Sequence, residues 1–355
     1  MALGDSYISG EGGRWQGNAA PWNLLGDRYG TDRAAHHCLG GTCLHQPTRI
    51  YGTSYANGCD RSDVSEVNSS NLQGYRLFNL ACSGAETVNV KSAAQGGRPF
   101  KGERPQVDQL KDLLAHNKVD VIVLSIGGND LKFSPVLSSC AIRFVTGARG
   151  CSRGATKTQF DADVANLGPK LDSVLQSIRG VMTEANGVDY PYHVVVQSYP
   201  VPVPASNRYR YLENGLTRFR TGGCPLYNAD SNWARNAVVP QVAQKQREAA
   251  QRAGAVYLDL QDAFAGHELC SMDDRQALPT ESRRHPIGAD EAEWIRFVTL
   301  FTQGIKQESF HPNAFGQMAL GACLGKLVAL DYTSTAYTCV GAAGQRPDEV
   351  TVQAD

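Results

Sequence analysis

Four short stretches carry residues suited to acyl chemistry: "GDSY" at 4–7, "ACSGA" at 81–85, "GGND" at 127–130 and "HPNAFGQ" at 311–317. A serine hydroxyl attacks a carbonyl only when a base takes its proton. Ser6 therefore needs a partner, and His311 is an imidazole set just ahead of the last apolar helix, where it can swing over the same edge. The tetrahedral oxyanion would be met by the backbone N–H of Ser6, the backbone N–H of Gly84 and the side-chain amide of Asn129, each such donor being worth about 3 kcal/mol. Glycine at 84 lets the main chain come close without a side chain in the way. Each stretch alone reads as an ordinary turn, helix cap or Asx-turn. Only their conjunction carries a chemical meaning. Asp5 and Asp130 read as hydrogen-bonding turn residues that fix the two loops rather than as an acid/base pair.

For these stretches to meet, each must follow a strand in one sheet. Near-continuous apolar runs at Tyr75–Cys82, Val119–Gly128, Tyr192–Pro200 and Ala255–Leu260, with the stub before Gly4, have the composition of parallel strands buried on both faces. Amphipathic stretches lie between and after them, at Arg104–Asn117, about 158–186, about 232–254 and Asn313–Leu330. Strand alternating with helix predicts a three-layer α/β/α sandwich around a parallel five-stranded sheet, in which ligands bind beyond the carboxyl ends of the strands. Residues 1–340 read as one domain, with long insertions at about 10–73 and 266–307 that have the length of functional rims. The polar tail 341–355 is expected to fray.

At the four stretches the sequence resembles the SGNH or GDSL hydrolases, whose blocks it matches in order over most of the chain. The resemblance implies a flavodoxin-like sandwich, Ser/His-dependent ester hydrolysis, no metal and no organic cofactor. "GCDRS" at 58–62 and "GHELCS" at 266–271 are similar to the secreted, disulfide-bearing branch with lipase and esterase activity. On that resemblance Cys59 pairs with Cys82, Cys140 with Cys151 and Cys224 with Cys270. Cys38 with Cys43 and Cys323 with Cys339 follow by elimination and nearness. The family's block has Asp three residues before the histidine, and here that position is Glu308. Two groups are thus candidates to hold the imidazole Nδ1, the Glu308 carboxylate and the main-chain carbonyl of Ser309. The carbonyl is favoured, because it fixes the tautomer without burying a charge.

The bulk composition agrees. Lys and Arg number 34 against 35 Asp and Glu, a balance with no basic block, which argues against a nucleic-acid partner. No apolar run approaches the roughly 18 residues that span a bilayer. Ten cysteines without Cys-x-x-Cys or Cys/His ligand spacing point to disulfides, and so to a secreted chain whose signal peptide has been removed. His36, His37 and His45 read as surface residues of the first insertion, and Trp15, Trp22, Trp233 and Trp294 as packing. The expected protein is a monomeric secreted esterase or lipase acting on a small-molecule, lipid or glycan ester. The alternatives are a carbohydrate O-acetylesterase or acyltransferase using the same residues, and a binding protein that keeps the scaffold without the chemistry.

Overall fold

The computed structural model describes residues 1–19, 31–39, 42–281, 285–298 and 306–355. The main sheet contains β1 (Ala2–Gly4), β4 (Val121–Ser125), β5 (His193–Gln197), β6 (Val256–Asp259), β7 (Ala336–Val340) and β8 (Thr351–Ala354), in that spatial order. A separate antiparallel hairpin, β2 (Ala35–Leu39) and β3 (Thr42–His45), belongs to the first insertion.

Strands β1 to β7 of this sheet are mutually parallel. Successive residues face opposite layers, as the two-residue period of a strand requires. Ala2, Val123, Val195, Leu258 and Tyr337 pack with Leu320, Leu324 and Leu327 of the helix Ala314–Ala329. Leu3, Leu124, Val196, Tyr257 and Ala336 pack on the other face with Leu110, Leu171, Val174, Ile178 and Val242. Those five residues come from the helices Gln106–Leu114, Leu167–Asn186 and Val239–Ala253. Both faces of the parallel part of the sheet are therefore covered, which explains why strands such as β4, β5 and β6 read as unbroken apolar runs.

Three expectations need correction. The segment Tyr75–Cys82 forms no ladder strand. It runs alongside β1 through an isolated parallel bridge at Asn79 and bonds from Ala2 N–H to the Phe78 carbonyl and from Leu80 N–H to the Ala2 carbonyl. The fifth parallel strand is instead β7, whose "AYTCV" follows a polar turn and lacks the length of the other runs. The tail does not fray as expected, because β8 adds antiparallel to β7 with Cys339 opposite Val352, making six strands. Its residues are mostly exposed, so an edge strand of this kind leaves no apolar alternation to read.

Four disulfides join described residues: Cys59 with Cys82, Cys140 with Cys151, Cys224 with Cys270 and Cys323 with Cys339. The Cys38–Cys43 pair rests on the Cys38 side chain, which lies outside what is described, and Trp22 and parts of both insertions lie outside the described residues.

Candidate active site

The chain leaves β1 on one side, reaches Phe78–Cys82 at its outer edge, and returns across β1 to β4 on the other side. Reversal of winding at β1 opens a crevice beyond the strand ends, where an open parallel sheet binds its ligands. The end of β1 must lie very close to β4. A Cβ at Gly4 would sit 1.9 Å from the Ser125 carbonyl oxygen, at a φ of +140°, so only glycine fits there. The Gln106 side chain clamps the same residue, accepting from Gly4 N–H at 2.7 Å and donating to its carbonyl at 2.8 Å.

Immediately beyond, Ser6 begins the short helix Ser6–Ser9, capped by Asp5, whose carboxylate accepts from Tyr7 N–H. His311 precedes Asn313, the N-cap of Ala314–Ala329, whose side chain accepts from Phe315 and Gly316 N–H. These two caps bring the Ser6 hydroxyl within 2.7 Å of His311 Nε2 across 305 residues of chain. His311 Nδ1 lies 3.0 Å from the Ser309 carbonyl oxygen. That bond places the ring proton on Nδ1 and leaves Nε2 free to accept. Burial lowers the His311 pKa to about 4, partly opposed by the Ser309 carbonyl, so the imidazole is neutral at pH 7.

Glu308 stands elsewhere. It is fully buried, and its carboxylate accepts from Tyr51 OH at 2.9 Å and from Trp15 Nε1 at 2.8 Å. It is also the foremost opposing charge felt by Arg296, whose guanidinium is buried over the Trp15 ring and held down to about 9 by desolvation. Residues of both insertions thus hold this carboxylate behind the histidine.

Gly84 adopts a φ of +84° in the loop after Cys82, and the Cys59–Cys82 disulfide anchors that loop to the first insertion. Neither Ser6 N–H nor Gly84 N–H donates to another described residue, and both residues line one cavity with Asn129 and His311. Asn129 donates from Nδ2 to the Ala85 carbonyl at 2.9 Å, which orients its amide beside Gly84. Asp130 accepts from both Thr87 N–H and Thr87 Oγ1, and Asp5 accepts from Tyr199 OH, which itself accepts from Gly128 N–H. The two aspartates therefore lock the loops together, as turn residues should. Burial pushes the Asp5 carboxyl up to about 7.

The sequence reading missed several neighbours. Tyr7 donates to the Phe310 carbonyl at 2.7 Å and lies with its ring centroid 5.2 Å from that of His311. Tyr199 and Gln106 come from distant elements and carry no local signal. The cavity, about 470 Å³, continues from Ser6 between Leu131, Phe133, Leu137 and Ala141 on one side and Val238, Val239 and Val242 on the other. Its first wall is the helix Phe133–Val145, which the sequence reading left unassigned because its apolar residues do not keep to one face.

A parallel α/β sheet bearing this serine, imidazole and cluster of donors at its strand ends defines an ester hydrolase of the SGNH class. A model of the GDSL-like lipase/acylhydrolase family matches residues 48–319, and the chain belongs to that family. The match takes in Gly84, Asn129 and His311 and begins after Ser6. Lipase 2 of Streptomyces coelicolor is 26% identical over 263 residues, 73% of each chain. A lipase of Streptomyces rimosus is 25% identical over 303 residues, 84% of this chain and 83% of its own. The solved extracellular lipase of S. rimosus superposes with a TM-score of 0.54 at 23% identity, covering 94% of this chain and 98% of that one. Phospholipase A1 of Streptomyces albidoflavus gives 0.51 at 23% identity over the same shares.

Proposed function

We propose that this hydrolase acts on carboxylic esters with extended acyl chains, using Ser6 as nucleophile and His311 as general base. As the Ser6 Oγ–carbonyl bond forms, the hydroxyl proton passes to His311 Nε2. The oxyanion faces Ser6 N–H, Gly84 N–H and Asn129 Nδ2. Collapse breaks the ester C–O bond, and the departing alkoxide takes the proton from Nε2. Water repeats the sequence on the acyl-enzyme and releases the acid. The Ser309 carbonyl holds Nδ1 throughout, while Glu308 serves the packing of the insertions.

One observation carries the choice of substrate: the apolar cavity that opens directly at the Ser6–His311 pair. Desolvating a hydrocarbon chain there is favourable, whereas an acetylated sugar would leave its hydroxyls facing valine and leucine without partners. Four disulfides, together with the description of one relative as an extracellular lipase, support an exported location. Every group named comes from one chain, in keeping with action as a monomer.

The test is a panel of esters of rising acyl length beside acetylated sugars. Each buried methylene contributes about 0.8 kcal/mol, so kcat/KM should rise roughly fourfold per methylene until the cavity is filled. An optimum at acetyl esters would overturn the acyl-chain reading. Ser6→Ala should lower kcat by a factor on the order of 10⁶ with the fold intact, and activity within a few-fold of wild type would overturn the mechanism.

A further inference from the structure

Charge is placed unevenly around His311. On the Nδ1 side stands a neutral carbonyl, and the nearby Glu308 carboxylate is engaged by Tyr51 and Trp15. On the Nε2 side stands Glu11, with Oε2 3.7 Å from Nε2. Glu11 follows the Ser6–Ser9 helix, its N–H donating to the Ser6 carbonyl, and it lines the same cavity as Ser6. Only 1% of it is exposed. Oε2 accepts from Ser83 Oγ at 2.5 Å, and the buried Oε1 has no hydrogen-bond partner among the described residues. Buried Glu66 and Asp274 likewise leave one oxygen without a partner among the described residues, and what sets Glu11 apart is its place 3.7 Å from His311 Nε2 at the wall of the cavity.

We propose that Glu11 is a positioning residue for this reaction, its carboxylate balancing the imidazolium that forms on His311 when Ser6 attacks. The inference rests on the reading of His311 as general base. The proton path is unchanged: it runs from Ser6 Oγ to Nε2 and on to the alkoxide, and Glu11 neither gives nor takes a proton in that step. It supplies from the Nε2 side the negative charge that an aspartate would supply at Nδ1.

The groups facing Glu11 make its ionisation sensitive to pH. Burial raises its carboxyl well above the ordinary range, and Asp60 and Glu308 add to that. The Ser83 hydroxyl and the Lys101 ammonium, which donates to the Ser83 carbonyl at 2.7 Å, favour the charged form. Tyr51 is a further titratable neighbour, beside His311 itself. Protonation of either Glu11 or His311 removes the proposed active form, so the acid limb of kcat/KM reports both groups. The active form has Glu11 ionised and His311 neutral.

The test is the pH profile of kcat and KM on one acyl ester for the full chain and its variants. Glu11→Gln should lower kcat about 10- to 100-fold with KM within about threefold, because the charge acts on the transition state and not on substrate binding. Its acid limb should move down by about one to two pH units, since an opposite charge at this distance raises an imidazole pKa by that order. Glu11→Asp, which restores the carboxylate, should restore the limb. Ser83→Ala removes a bond that favours the carboxylate, so its limb should move up, and this reading survives even if Glu11→Gln fails to fold. Wild-type kcat with an unmoved limb in Glu11→Gln, a loss confined to KM, or an unmoved limb in Ser83→Ala would overturn the assignment. A fluorophosphonate probe separates the two readings. It should label Glu11→Gln once per chain, and neither Ser6→Ala nor His311→Ala. Activity in His311→Ala would sink the base itself, whereas normal labelling with an unmoved limb in Glu11→Gln sinks only Glu11.

Discussion

The two ends of the cleft are built on different principles. The polar end is made of loops after β1, after Cys82 and after β4, and each group there is held by directional bonds: Asp5 to Tyr199, Asp130 to Thr87, Asn129 to Ala85, His311 to Ser309. The apolar end is made of helix sides, with Leu137, Ala141, Val239 and Val242 presenting only methyl groups. Bond-making chemistry needs atoms placed to within a fraction of an ångström, and hydrogen bonds supply that precision. Accommodating a hydrocarbon needs only volume, and dispersion and hydration have no direction. Substitutions at the polar end should therefore act abruptly, and those at the apolar end by degrees.

The sharpest contrast should come from Asn129→Ala, which removes one donor and touches no hydrocarbon wall. Its kcat should fall about 10²- to 10³-fold equally for short and long esters. A loss that depends on chain length would erase the distinction between the two ends. At the apolar end, Val239→Phe should shorten the cavity. Activity on long-chain esters should fall about tenfold while the shortest esters keep wild-type rates, moving the optimum of the chain-length series downward. A uniform loss across the series would place Val239 with the catalytic groups instead. The smallest kinetic effect belongs to Glu308→Gln, beside the polar end but outside it. Because the Ser309 carbonyl holds Nδ1, kcat/KM of the folded variant should stay within about tenfold of wild type. Stability should suffer instead, by about 3 kcal/mol, since Arg296 loses its foremost opposing charge. Thermal unfolding read beside kinetics checks both. A loss of activity beyond about a hundredfold would make Glu308 a third member of the catalytic set.

The same division accounts for what could be read from the chain. Ser6, Gly84, Asn129 and His311 stood out because each needs a particular residue type in a turn that also needs glycine, asparagine or proline nearby, and such clusters are visible locally. The strands β4, β5 and β6 were legible because burial on both faces leaves an unbroken apolar run. The strand β8 was not, because an exposed edge strand takes its place through backbone pairing with β7 and not through its side chains. The helix Phe133–Val145 escaped notice for a related reason. Part of its surface faces the cavity and Ile142 and Val145 are exposed, so no single apolar stripe marks it.

The sequence by itself determined the alternation of strand and helix, the residue types at the strand ends and the cysteine count, because each follows from local periodicity, turn stereochemistry or composition. Tertiary structure alone decided which carboxylate faces the histidine. Glu308 is three residues from His311 and is held by Trp15 and Tyr51, whereas Glu11, 300 residues away, lies 3.7 Å from its Nε2. Nearness along the chain does not set nearness in space once two insertions fold over the strand ends. A buried carboxyl goes where hydrogen bonds offset its desolvation, and those partners come from segments that meet only in the folded protein.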